Sequence, residues 1–134
     1  MTCWNARTQP DLVEETSRQR KTVLIVDDEQ WILHVLRDLL EDAGYDVRIA
    51  LHRRAALILA RQNALSFILT DLMMPEMDGQ TLCDQLRRDP QTMHLPIVLM
   101  TAARRPRLPA RFTAMIGKPF DIDDVLRLVE KHAI

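Results

Sequence analysis

The chain has 134 residues, 47% of them hydrophobic and 28% charged, which suits one globular domain with a substantial core and is too short for two. Eighteen Lys and Arg against nineteen Asp and Glu give a net charge of -1, excluding a global basic field for nucleic acid or an anionic membrane. The two cysteines, Cys3 and Cys83, exclude a disulfide framework and a thiolate metal cage.

Residues Met1 to Lys21 mix basic and acidic side chains around Pro10 without a sustained apolar period, and they read as a flexible leader (1–21) ahead of a single domain (22–134). The opening MTCWNARTQPDL lacks the apolar stretch of a signal peptide, and no run approaches the roughly 20 residues of a membrane helix. The expected compartment is the cytoplasm, with no membrane partner. Val23-Leu24-Ile25-Val26 is an unbroken, β-branched run, the mark of a strand buried on both faces, and it stops at Asp27-Asp28-Glu29. From Gln30 to Ala43, Ile32, Val35, Leu36, Leu39 and Leu40 recur at helical spacing, and Gly44 supplies the stop.

The alternation then repeats. A weaker strand is predicted at 46–50, a helix at 53–61, a strong strand at Phe67-Ile68-Leu69-Thr70 ending in Asp71, and a helix from Gly79 to Asp89 with Leu82, Cys83 and Leu86 inward. Pro96 opens a fourth strand, Ile97 to Met100, ending at Thr101, and Ala114-Met115-Ile116 is a fifth before Lys118-Pro119. The last helix runs from about Ile122 to Ala133, with Asp121 as N-cap, Asp124 three residues on, and Ile122, Val125, Leu126 and Val129 on one inward face. Strands separated by helices imply a parallel, doubly wound α/β sheet with right-handed crossovers, whose working site lies beyond the carboxyl ends of the strands.

That rim collects Asp27, Asp28, Asp71, Thr101 and Lys118. Each has an ordinary reading: Asp27-Asp28 as a turn and helix cap, Lys118 as a solvated lysine, Thr101 as a strand former, and Pro75 with Asp78-Gly79 as turn chemistry. Five coordinated placements at one rim point instead to a shared task. Clustered carboxylates resist ionising unless a cation neutralises them, and an oxygen-only set suits Mg²⁺. A lysine and a hydroxyl opposite the metal add donors for phosphoryl oxygens, so the set is complementary to phosphoryl transfer onto a carboxylate.

The strings VLIVDDE, LTDLMMPEMDG, LMTA and IGKPF, in this order, resemble the receiver domain of two-component response regulators, and the resemblance covers Thr22 to Ala133. It implies a flavodoxin-like five-stranded parallel sheet of order 2-1-3-4-5. Asp71 would be the phosphoacceptor, charged by a histidine kinase or a histidine phosphotransfer protein. Mg²⁺ would be held by Asp28 directly, Asp27 through water, Asp71, and the backbone carbonyl of Met73. Lys118 would hold a phosphoryl oxygen, Thr101 would act as the switch hydroxyl, and Pro119 would follow a cis peptide. Pro75 and Gly79 have structural places in the motif after Asp71. The domain would catalyse only its own phosphorylation and dephosphorylation, and would signal through altered contacts with a further protein.

Two departures stand out. Where the family usually has Tyr or Phe three residues before the lysine, this chain has Met115, which is flexible and offers no phenol to report a switch. The stretch from Thr101 to Lys118 is a handful of residues shorter than usual and contains Pro106 and Pro109, each costing about 3 kcal/mol in a helix interior, so the fourth helix is expected to be shortened or missing. The same stretch carries Arg104, Arg105, Arg107 and Arg111, read either as a solvated loop or as a dock for an acidic partner. The second reading gives the alternative function, a phosphate-independent adaptor binding through 102–113. No helix-turn-helix follows, so no direct DNA binding is expected. His34, His52, His94 and His132 are scattered and suggest no shared site.

Overall fold

A computed structural model of the protein describes residues 20–71, 73–74, 77–102 and 111–134, the side chains of 73, 74 and 77–79 excepted. Five strands form one sheet: β1 (Thr22–Val26), β2 (Asp46–Ala50), β3 (Phe67–Asp71), β4 (Ile97–Thr101) and β5 (Ala114–Gly117). Every pairing is parallel and the spatial order is 2-1-3-4-5. Four helices accompany it among the described residues: α1 (Gln30–Asp42), α2 (Arg53–Gln62), α3 (Gly79–Arg88) and α4 (Ile122–His132). The expected loss or shortening of a helix between β4 and β5 falls on 103–110, outside the described residues, as does most of the leader.

The two faces of the sheet bury separate cores. Leu24 and Val26 of β1 point toward Ala56 and Ala60 of α2 and Leu82, Cys83 and Leu86 of α3. Val23 and Ile25 point the other way, toward Ile32, Leu33, Leu36 and Leu40 of α1 and Val125 and Val129 of α4. The period-2 alternation of β1 therefore feeds both cores, which is why its sequence is continuously apolar. Ahead of β1, Arg20 pairs with Asp46 at 3.1 Å, and Lys21 Nζ donates to the Ala133 carbonyl just after α4. None of the described helices is long and apolar enough to cross a membrane.

Three local expectations need correction. On α1 the buried stripe contains Leu33, whereas Val35 is 46% exposed and Leu39 only half-buried, because the helix presents the 32-33-36-40 edge to the sheet. Ile122 of α4 is likewise exposed. Asp121 occupies the N-cap of α4, but its side chain makes no capping bond, and its carbonyl accepts from Asp124 and Val125 instead. By contrast His52, to which no shared role was given, caps α2 by accepting from the Ala55 amide at 3.2 Å.

Candidate phosphoacceptor site

Parallel strands of matched length put their carboxyl ends on one rim. Asp27 extends β1 by one residue, its amide donating to the Ala50 carbonyl, and Asp71 closes β3 beside Met100. Thr101 closes β4 opposite Gly117, and the next residue, Lys118, is fixed by its amide donating to the Thr101 carbonyl at 2.7 Å. All four belong to different strands or strand ends, so the sheet register itself sets their spacing.

At that rim the Lys118 ammonium lies 2.9 Å from Asp27 Oδ2 and 3.3 Å from Asp71 Oδ2. Asp27 is fully buried, and its second oxygen, Oδ1, accepts from the Glu29 amide at 3.0 Å. A buried carboxylate is tolerable only when paired and hydrogen-bonded, and Asp27 is both. Asp71 and Thr101 are also buried, while Asp28 is exposed at the lip. One carboxylate oxygen from each of Asp27, Asp28 and Asp71 lies within 4.8 Å of the other two. The Lys118–Pro119 peptide is cis.

Electrostatics follow from this crowding. Desolvation pushes Asp28 above the usual carboxylate range, and the hydrogen bond to Asp27 and the Asp27 charge push it further. Burial acts to lower Lys118, but the hydrogen bond and charge of Asp27, followed by those of Asp71, outweigh it and hold the ammonium above its ordinary value. The site is thus acid-rich and partly neutralised by one lysine, and the three clustered carboxylates offer oxygen donors. Such a donor set fits a hard divalent cation of the Mg²⁺ kind.

Asp27, Asp28, Asp71, Thr101 and Lys118 share the rim. Met73 stands two residues beyond Asp71 in a short antiparallel ribbon, paired with Asp78, and Gly79 opens α3 directly after it. Pro75 lies outside the described residues. Met115 is half-buried on the α2–α3 face, packed against the core there rather than at the rim. Sequence reasoning missed Glu29, whose Oε1 is 3.8 Å from Lys118 Nζ and whose Oε2 accepts from the Trp31 indole. It was readable only as one more acid after Asp28. An apolar groove of about 450 Å³ also borders Lys118, with Trp31, Val35, Pro119 and Ile122 among its walls; the sequence signal that could have found it is Trp31, a large aromatic beside the apolar stripe of α1.

A family model described as the response regulator receiver domain matches residues 23–130. Histidine kinase P4 of Formosa agariphila is 34% identical over 123 residues, which is 85% of this chain and 9% of that protein. Response regulator PleD of Caulobacter vibrioides is 38% identical over 109 residues, 78% of this chain and 24% of PleD. The chain therefore spans a quarter or less of these two curated relatives. Among solved structures, the chemotaxis response regulator CheY4 of Vibrio cholerae superposes with a TM-score of 0.78 at 29% identity, covering 84% of this chain and 98% of that one. The receiver domain of a signal transduction histidine kinase from Syntrophus aciditrophicus gives 0.74 at 28% identity, covering 83% and 88%.

Proposed function

The chain belongs to the response regulator receiver family, a signalling family, and on that premise we propose that Asp71 accepts a phosphoryl group from a phosphohistidine donor and so changes the contacts the domain makes with another protein. The observation that carries the reading is the Lys118 ammonium held between Asp27 and Asp71, beside a three-carboxylate cluster. Asp71 supplies the attacking carboxylate oxygen. As its bond to phosphorus forms, the phosphorus–nitrogen bond of the donor breaks and the electron pair returns to the imidazole. Lys118 offers its ammonium protons to a phosphoryl oxygen where charge gathers. Asp27, Asp28, Asp71 and the Met73 carbonyl are the groups that would hold Mg²⁺, which supplies charge neutralisation between the carboxylates and the incoming phosphoryl oxygens.

Thr101, a buried residue that closes β4 at the rim, is the proposed switch. Met115 is the proposed repacking side chain, and Pro119, Pro75 and Gly79 shape the backbone around the site. The donor would be a histidine kinase or a phosphotransfer protein, the compartment the cytoplasm, the domain 22–134, and the domain would turn over only its own acyl phosphate. Nothing at the site favours the phosphate-independent adaptor, whose segment lies largely outside the described residues.

The test is labelling with a small phosphodonor. Wild type should give one acid-stable, base-labile acyl phosphate that requires a divalent cation. Equal labelling of Asp71→Asn, or labelling that survives complete chelation, would show the assignment to be wrong.

A further inference from the structure

Glu29 takes the N-cap place of α1, yet its side chain makes no capping bond. Its backbone is held on both sides, the amide donating to Asp27 Oδ1 at 3.0 Å and the carbonyl accepting from the Leu33 amide at 3.3 Å. The helix therefore makes no use of the carboxylate, which turns to the rim instead. Oε1 lies 3.8 Å from Lys118 Nζ, and Oε2 accepts from the Trp31 indole at 3.1 Å. Trp31 is 64% exposed, so burial does not account for a tryptophan in the first turn of α1, whereas its N–H has a definite partner in Glu29. Lys118 thus faces three carboxylates, Asp27 at 2.9 Å, Asp71 at 3.3 Å and Glu29 at 3.8 Å. The side chains of Asp27 and Asp71 are buried, and that of Glu29 is 48% exposed, on the side from which a donor must approach the ammonium.

We propose that Glu29 selects among phosphodonors by their charge: tethered by Trp31 beside Lys118, its carboxylate opposes each negative charge on an incoming donor, so that a donor with a cationic nitrogen leaving group is favoured over a dianionic acyl phosphate. A phosphoryl oxygen bonded to Nζ at about 2.8 Å comes within roughly 7 Å of Glu29 Oε1. At that separation in water of physiological ionic strength, one pair of like charges slows approach by about twofold, and a second charge on the donor doubles the effect again. The inference rests on the phosphoacceptor reading of Asp71 and adds the class of donor that the mouth of the site admits. Acetyl phosphate and phosphoramidate separate the two classes. With either, an Asp71 oxygen bonds to phosphorus as the donor's own bond to phosphorus breaks. The electron pair leaves on acetate from the first, a dianion, and on ammonia from the second, whose protonated nitrogen makes it a monoanion. Trp31 acts through Glu29 as a positioning residue. Without the indole, the nearest cation to the released carboxylate is Lys118, and the negative charge moves closer to the phosphoryl group.

The experiment measures labelling rates of the full chain with each donor at saturating Mg²⁺, so that a changed metal affinity does not enter, and compares the ratio of the acetyl phosphate rate to the phosphoramidate rate. Glu29→Gln should raise the first rate about fourfold and the second about twofold, doubling the ratio, and Glu29→Lys should double it again. Trp31→Phe should lower the ratio in the wild-type background and leave it unchanged in Glu29→Gln, because its effect passes through the carboxylate. Raising the ionic strength to about 1 M, where screening acts over roughly 3 Å, should bring the ratios of all these proteins together. Equal acceleration of both donors by Glu29→Gln, no acceleration of either, or a Trp31→Phe effect that persists in Glu29→Gln overturns charge selection and leaves the phosphoacceptor reading standing. A wild type that labels with neither donor, or an Asp71→Asn protein that labels equally well, overturns both.

Discussion

Lys118 holds its ammonium 2.9 Å from the fully buried Asp27, so replacing it with methionine leaves a desolvated carboxylate without its cation. Breaking such a pair costs about 3 kcal/mol, and Lys118→Met should lower the metal-free unfolding free energy by that order in urea titrations, with Mg²⁺ restoring part of the loss. Because the fold holds Lys118 above its ordinary value, its contribution is complete below pH 10.5 and disappears as the pH rises through the raised value; wild type and variant should converge there. Asp28 has the opposite sign. Its carboxyl is raised above 3.8, so folding favours the protonated form and the ionised form is a burden at neutral pH. Asp28→Asn should therefore unfold at a higher temperature than wild type at pH 7 without metal, lose that advantage below pH 3.8, and bind Mg²⁺ more weakly. Thermal scans with and without the cation, repeated across pH, check both halves.

Helix α1 shows how far an element can be read from its letters. Leu33 is 1% exposed and Val35 46%, so Leu33→Ala should cost about 2–5 kcal/mol while Val35→Ala stays within about 0.5 kcal/mol, measured by chemical denaturation. The spacing alone reverses that ranking, since Val35 continues the 32-36-39 stripe and Leu33 sits one step aside. Periodicity locates a helix well and its rotation poorly, because the exact edge buried depends on how the helix lies across the sheet. The strands were more legible: 23–26, 67–69 and 97–100 are unbroken apolar runs because both faces are covered, and the polar residues that follow, Asp27, Asp71 and Thr101, mark the rim. So were the rim residues, since a strand end fixes position to within a residue. Glu29 and the Arg87 guanidinium, which donates to the carbonyls of Met93, Leu95 and Arg111, were not legible. Their roles depend on a 3.8 Å approach across a loop and on carbonyls, which no sequence pattern displays. The side-chain cap expected at Asp121 failed for the related reason that a backbone carbonyl can satisfy the first-turn amides alone.

Considered as a whole, the molecule keeps two cores on opposite faces of one sheet, with the charged rim above both. In the receiver family, loading commonly reshapes a face that includes a helix between the fourth and fifth strands, and the chain between Thr101 and Ala114 here carries Pro106 and Pro109 in that place. A ligand shifts an equilibrium only through contacts that differ between its states, and the sequence expectation that the two prolines disfavour a helix there carries with it less surface on which to build a loaded-state dimer. Light scattering with beryllofluoride and Mg²⁺ should therefore return the mass of one chain; a clean shift to two would refute the expectation.

Charge accounting at the rim sets a limit on how news of phosphorylation can travel. Asp27, Asp28 and Asp71 together exceed Lys118 by two negative charges when all are ionised, and one divalent cation cancels that excess. Converting the Asp71 carboxylate to an acyl phosphate then adds about one further negative charge at neutral pH. Through the solvent at physiological ionic strength, a field of that size decays over roughly 8 Å. A partner seated elsewhere on the domain would be beyond its range, so whatever it senses must be displaced atoms, and the rim must speak to distant surfaces mechanically.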